Sequence, residues 1–147
     1  MSGATGGFSN GIVPRGQPYT FAQAVTKVGT IMYKTVTAAV ADIAGSGNRP
    51  MGYAGETTTN VFGATDLTIK RNIMPLIPGD KVAFPLLATN QAIAVGDVIV
   101  LTTGGTVDKK GGAAYVMGVA EEAADVNAGA GTTPYLLVRV DMFYAAA

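Results

Sequence analysis

Few residues of this chain could carry out chemistry. Its 147 residues include no His and no Cys, so the commonest general base, the commonest metal ligand and all thiol chemistry are missing. Its serines, Ser2, Ser9 and Ser46, lie in Gly-rich stretches, and none is followed by Lys at the spacing of a Ser-Lys pair. A Ser nucleophile needs a neighbouring base. The sequence therefore argues against a Ser hydrolase.

The acidic residues offer a second catalytic arrangement. Glu121 and Glu122 are adjacent and Asp125 follows them, and paired carboxylates serve in glycoside hydrolysis. Adjacent residues of a strand point to opposite faces, so only one Glu could line a site. Asp108, Asp125 and Asn127 could offer oxygen ligands to Ca²⁺, but no twelve-residue EF-hand pattern surrounds them. We expect these residues to lie at a solvated strand end or turn, and we expect a non-enzymatic protein without metal or cofactor.

The composition indicates a surface suited to contact with other proteins. Hydrophobic residues make up 48% of the chain and charged residues only 14%, against about 25% charged residues in typical domains. Self-assembly or partner binding would explain this better than a plain β-domain. The net charge is zero, and no basic run exceeds the pairs Lys70-Arg71 and Lys109-Lys110. Nucleic-acid binding needs a basic stripe or an aromatic platform, so we do not expect it. No apolar run approaches about 20 residues, so no membrane span is expected either.

An internal repeat organises the chain. Val28–Thr35 reads VGTIMYKT, and Val95–Thr102, 67 residues later, reads VGDVIVLT. Met51–Glu56 (MGYAGE) is followed 66 residues later by Met117–Glu122 (MGVAEE), which places Glu56 at the position of Glu122. A repeat of this length predicts one supersecondary unit used twice.

Residues 21–43 fit two secondary structures. Phe21, Val25 and Val28 begin a helical apolar stripe. However, Gly29 and many β-branched residues oppose a helix. The second copy, with Gly104-Gly105 after its apolar run, is typical of strand, turn and strand. We therefore predict strands here, including one over residues 30–35.

The predicted fold is all-β. The last segments of the two units, residues 67–74 and 136–143, match at a separation of 69 residues, and each is predicted to be a strand. About five short strands per unit, separated by Gly-rich turns, favour a small barrel or sandwich built from two similar β units. The units span about 21–75 and 88–147 of a duplicated domain, 21–147, and the Pro-rich residues 75–87 join them. One closed barrel and two packed lobes are both compatible with this pattern.

Residues 1–20 are predicted to form an extended N-terminal arm. Pro14 and Pro18 disfavour a helix, and Gly, Ser and Asn are frequent. The candidate anchors along it are Phe8, Ile12, Val13, Pro14, Arg15 and Tyr19. A flexible linker needs no such anchors. The arm could lie over its own barrel or along a neighbouring surface.

The second unit resembles a known family. It contains AVGDVIVLTTGGTVDK, then YVMGVAEEAADVNAG, and closes with LLVRVDMF. This succession over residues 88–144 resembles the capsid-cement (head decoration) proteins of tailed bacterial viruses, and residues 23–74 repeat it more loosely.

The resemblance implies a virion protein that is made in the host cytoplasm and sits on the outer surface of the capsid. Its partner would be the major capsid protein, whose neighbouring subunits it would clamp, and it would be a homotrimer. The arm would lie along the shell, so deleting residues 2–19 is expected to weaken capsid binding and leave the fold intact. The alternatives are another virion structural β-domain (tail, spike or adaptor) and a carbohydrate-binding or adhesion module.

Overall fold

The protein is built almost entirely from β-strands. The computed structural model describes residues 17–87, 91–126 and 135–145. A single short 3-10 turn, Thr103–Gly105, accompanies the strands in these residues. The strands are β1 (Gln17–Phe21), β2 (Ile31–Lys34), β3 (Val40–Ile43), β4 (Gly52–Ala54), β5 (Arg71–Met74), β6 (Lys81–Pro85), β7 (Gln91–Ile93), β8 (Val98–Leu101), β9 (Val107–Lys109), β10 (Ala114–Ala120), β11 (Ala124–Val126) and β12 (Tyr135–Ala145).

The first unit is a closed barrel with the strand order β1-β3-β2-β4-β5. Strand β1 closes it, because β1 runs parallel to β3 on one side and antiparallel to β5 on the other. Closure leaves no unpaired strand edge. Alternate residues point inward, so Ile73 is buried while its neighbour Asn72 is exposed. The core of this unit consists of Phe21, Val25, Met32, Ala41, Ala54 and Ile73.

The second unit is a five-stranded sheet with the order β6-β12-β10-β8-β9. Its edges meet where Leu86, just after β6, forms a parallel bridge with Val107 of β9. The Leu87 N–H reinforces this bridge by donating to the Val107 carbonyl at 2.9 Å. Strands β7 and β11 form a separate two-stranded ribbon, and Ile93 and Ala124 from this ribbon enter the core of the unit.

The two units share their strand order and their register, which confirms the prediction of two similar β units. In the first, Ala54 pairs with Ile73; in the second, Ala120 pairs with Val138. The bridge from Leu86 to Val107 likewise corresponds to the pair from Phe21 to Ala41. The molecule is therefore a tandem of two five-stranded units.

The predicted strands within residues 21–43 are confirmed. Residues Ile31–Lys34 and Val40–Ile43 form an antiparallel pair, with Met32 opposite Ile43. The matching pair in the second unit places Ile99 opposite Lys109. Of the residues that suggested a helical stripe, Phe21 and Val25 face the core of the first unit from different segments, whereas Val28 is 47% exposed.

The predicted match between the last strands is wrong in register. A separation of 69 residues aligns Lys70 with Arg139, but hydrogen bonds align Asn72 with Leu137, which are 65 residues apart. The Gly55 N–H donates to the Asn72 carbonyl at 3.1 Å, and the Glu121 N–H donates to the Leu137 carbonyl at 2.9 Å. An error of four residues preserves the inward and outward alternation, because side chains repeat every two residues in a strand. The alternating pattern therefore cannot detect it.

Each unit also begins earlier than predicted. Residues 17–20, assigned to the arm, belong to β1, and residues 81–85, assigned to the linker, form β6. Each of these strands contains a proline, Pro18 in β1 and Pro85 in β6, and proline is disfavoured inside a sheet. Pro18, however, lies opposite Asn72, whose N–H and carbonyl face β4 instead of β1. No ladder hydrogen bond is lost at such a position, so the strand tolerates Pro18.

The units pack together through one face of the first unit. Ile31 and Ala44 are completely buried in a core that otherwise belongs to the second unit. The ring of Tyr53 meets Phe84 edge-on at 5.8 Å between centroids, and burial, helped by the negative charge of Asp80, raises the pKa of the Tyr53 hydroxyl. The Gly105 N–H donates to the Ala44 carbonyl at 2.8 Å. The 3-10 turn of the second unit is thereby seated on the first.

Candidate binding surfaces

Glu121 and Glu122, the candidate catalytic pair, form structural contacts. The Glu122 carboxylate accepts the Leu137 N–H at 2.8 Å, and Glu56, its counterpart, accepts the Asn72 N–H at 3.5 Å. Glu121 forms an ion pair with Lys81 at 3.0 Å, and that contact lowers the pKa of Glu121. These carboxylates hold the last strand of each unit. In the described residues, His, Cys, Asp and Glu form no group of three that could hold a metal ion.

The predicted arm anchors are divided by the boundary of the described residues. Phe8, Ile12, Val13, Pro14 and Arg15 lie outside those residues. Tyr19 lies in β1, opposite Arg71, and packs half-buried against the core of the first unit. Tyr19 is therefore a barrel residue, and Gln17 already belongs to β1.

A loop of the first unit presents two large apolar side chains to solvent. Val61 is 93% exposed and Phe62 is 90% exposed. Both lie in the middle of the connection between β4 and β5, and we call them the apolar tip. Exposed apolar residues are common singly, but two adjacent ones on an ordered loop are typical of a contact site.

Hydrogen bonds hold the apolar tip in one conformation. The Asn60 side-chain oxygen accepts the N–H groups of Phe62 at 2.9 Å and Ala64 at 3.1 Å. The Asn60 N–H donates to the Ala64 carbonyl at 2.7 Å, and Thr59 bridges to Thr65 below them. This is an Asx-type turn, in which a short side chain takes the place of a backbone partner.

A buried Arg fixes the base of the same loop. The Arg71 side chain is only 2% exposed. Its guanidinium donates to the carbonyls of Asp66 and Thr58 and lies 3.8 Å from the Glu56 carboxylate. Asp66 in turn accepts the hydroxyl of Thr68 at 2.6 Å, which lowers the pKa of Asp66. Because the loop is already ordered, a partner that binds the tip loses little conformational entropy.

The second unit carries two shallow grooves beside its longest strands. They lie where β10 is bulged between Val116 and Gly118, opposite β12. One groove, of about 220 Å³, is lined by Val98, Val116, Gly118, Val119, Asp141 and Phe143. The other, of about 290 Å³, is lined by Arg49, Tyr115, Met142, Phe143 and Tyr144. The rings of Tyr115 and Tyr144 meet edge-on, with centroids 5.0 Å apart.

Sequence reasoning missed both the tip and the grooves. Residues 57–66 have the composition of a polar connection, because Thr, Asn, Gly and Asp surround Val61 and Phe62. Adjacent large apolar residues inside a polar turn were the available signal. Phe143 was assigned to a strand without regard to its exposure, although it is 51% exposed.

No protein-family model, curated protein or solved structure matches this chain. Over residues 17–87, 91–126 and 135–145, no helix has the length and apolar character needed to cross a membrane.

Proposed function

We propose that this protein decorates the outer surface of a viral capsid and stabilises contacts between major capsid subunits without catalysing a reaction. It would be a homotrimer that is made in the host cytoplasm and carried on the virion. The proposal combines the resemblance of the second unit to capsid-cement proteins with one structural observation, the ordered apolar tip at Val61 and Phe62. A protein that acts by contact needs such a feature, and the low charge of the chain agrees with it.

The apolar tip would provide the anchor of each contact. Interfaces are dominated by a few residues, often aromatic, that enter a pocket of the partner. Burying the Phe62 ring in a pocket of the capsid protein would stabilise the complex by about 2–3 kcal/mol. Many copies bound to one shell would add modest contacts together through avidity.

Replacing Phe62 tests the anchor. Phe62→Ser removes the ring but leaves the Asn60 turn, since that turn is held by backbone N–H groups. A loss of about 2 kcal/mol corresponds to about 30-fold weaker binding. The measurement is sedimentation of the labelled protein with expanded shells of the virus that encodes it.

Ile69→Ser is the matched control, because Ile69 lies on the same loop, is 47% exposed and is not at the tip. We expect it to bind as the unaltered protein does. Equal binding by Phe62→Ser and Ile69→Ser would remove the tip from the proposal.

The test of the arm requires a shorter deletion than residues 2–19, the deletion chosen from the sequence. Deleting residues 2–19 would remove most of β1, which pairs with both β3 and β5. Deleting residues 2–16 leaves this strand in place. If Phe8, Ile12, Val13 and Arg15 contact the shell, the shorter deletion weakens sedimentation with shells while the circular dichroism spectrum stays unchanged.

Carbohydrate binding is the second candidate, because one groove of the second unit contains aromatic residues beside Arg49. Sugars stack on flat, exposed aromatic faces. The rings of Tyr115 and Tyr144 stand at 69° to each other, so they form no flat platform. Binding to a glycan array that is lost in Tyr144→Ala would favour this candidate over capsid decoration.

A further inference from the structure

The contact between the two units is directional. The turn of the second unit is seated on the first, where Gly105 donates to Ala44. A Cβ atom on Gly105 would lie 2.7 Å from the Ile31 carbonyl oxygen. The first unit therefore offers a receiving face and the second unit offers a turn, and the two surfaces are different.

Because the units share their register, the receiving face has a counterpart on the second unit. The Ala44 N–H donates to the Ile31 carbonyl at 2.9 Å, and the Lys110 N–H donates to the Val98 carbonyl at the same distance. Val98 thus occupies the position of Ile31. Val119 likewise occupies the position of Tyr53, because Tyr53 is the strand partner of Ile31 and Val119 is the strand partner of Val98.

Among the described residues, no other segment covers this counterpart face. Ile31 is 0% exposed, whereas Val98 is 39% exposed. A Cβ atom on Gly29 would lie 2.6 Å from the Ala83 carbonyl oxygen, whereas one on the corresponding Gly96 would meet nothing within 4 Å. Val98 and Val119 line the groove of about 220 Å³ together with the half-exposed Phe143. We call these three residues the open face.

The first unit has the matching turn, which no other segment of the described residues covers. The Thr35 N–H donates to the Val40 carbonyl at 3.1 Å, as the Thr102 N–H donates to the Thr106 carbonyl at 2.8 Å. Val36, an extra residue in the turn of the first unit, is completely exposed. The chain thus carries an unused turn on its first unit and an unused receiving face on its second.

We propose that a second copy of this chain covers the open face, with residues 35–40 of one copy seated beside Val98 and Phe143 of the next. Ala39 stands where the second unit has Gly105, and its Cβ keeps the backbones further apart than within the chain. The apolar side chain of Val36 would fill the wider space between this turn and the open face of the next copy. Such a head-to-tail contact uses different surfaces on the two copies and continues until a ring closes or a filament grows.

This proposal rests on the internal repeat and is independent of capsid binding. Its test therefore uses the purified full-length protein without any shell. Val98→Glu places a charge on the open face, and Val36→Glu places one on the turn. Val61→Glu, on the apolar tip, is the control.

Sedimentation velocity gives the mass of each species. We expect the unaltered protein and Val61→Glu to sediment as assemblies of more than one chain. Val98→Glu and Val36→Glu should each sediment as single chains of 14.9 kDa. Mixed in equal amounts, they should form two-chain complexes, because each supplies the surface that the other has lost.

Three results would overturn the proposal. One is an unaltered protein that stays a single chain at every concentration. Another is assembly of Val98→Glu or Val36→Glu alone. The third is a mixture of the two variants that contains only single chains.

Discussion

Two adjacent glycines allow the packing of the two units to be measured. Gly104 and Gly105 have nearly equal φ angles, +69° and +68°, in the turn between β8 and β9. A Cβ atom on Gly104 would meet nothing within 4 Å, whereas one on Gly105 would lie 2.5 Å from the Thr30 methyl group and 2.7 Å from the Ile31 carbonyl oxygen. The two positions share nearly the same φ and differ in packing.

Gly104→Ala should therefore cost only the left-handed backbone conformation, about 1 kcal/mol. Gly105→Ala should cost the same amount plus about 1–3 kcal/mol for overpacking against the first unit, about 2–4 kcal/mol in all. Ala39 already has φ of +57° at the corresponding position of the first unit, which shows that this turn accepts an Ala where nothing is packed on it.

The assay is urea unfolding followed by circular dichroism, with all proteins at one concentration. The difference between the two free energies of unfolding is the quantity of interest, because the backbone contribution cancels. An equal loss in both variants would refute the packing of the second unit's turn on Ile31.

The remaining predictions concern the loop that carries the apolar tip and the acidic residues. Arg71→Met should lower the free energy of unfolding by about 3 kcal/mol, because the buried carbonyl of Thr58 and the partly buried carbonyl of Asp66 lose a charged donor. Lys70→Met, at an exposed neighbour, should change that free energy by less than about 0.5 kcal/mol. Similar losses in both variants would contradict this role of Arg71. The folded-state pKa of Asp97 is lowered by the Ala94 N–H and by Lys109, and those of Asp66 and Glu121 are lowered too. Depressed folded-state pKa values give stability that is present above the unfolded-state values, about 4, and is lost as pH falls through the folded-state values. The free energy of unfolding should thus decrease as the pH drops below about 4. Asp97→Asn should make this decrease with pH less steep. An equally steep decrease in the variant would show that Asp97 contributes nothing to it.

The repeat made much of the fold predictable. The pair VGTIMYKT and VGDVIVLT identified β2 and β8, and comparison with the second copy replaced a helical interpretation of residues 21–43 by strands. Corresponding strand partners follow from those shared letters, although the turn between β2 and β3 is one residue longer than the turn between β8 and β9. Local sequence was sufficient here because each unit uses the same short-range pattern.

Other features depended on contacts that the sequence does not reveal. Pro18 can enter β1 only because the N–H and carbonyl of Asn72 face the other neighbour. The four-residue error in the last strand preserved which side chains face inward, so the alternation could not expose it. The burial of Ile31 and the exposure of Val98 differ because one unit covers the other, and nothing within either repeat distinguishes them.

The proposal that this protein decorates a capsid is tested most directly by electron cryomicroscopy of the shells of a virus whose genome carries this sequence, with and without the protein. The proposal predicts added density on the outer surface, shaped as two tandem five-stranded units, with Val61 and Phe62 directed at the major capsid subunits. Density confined to a tail, spike or adaptor, or no added density on the shell, would contradict it.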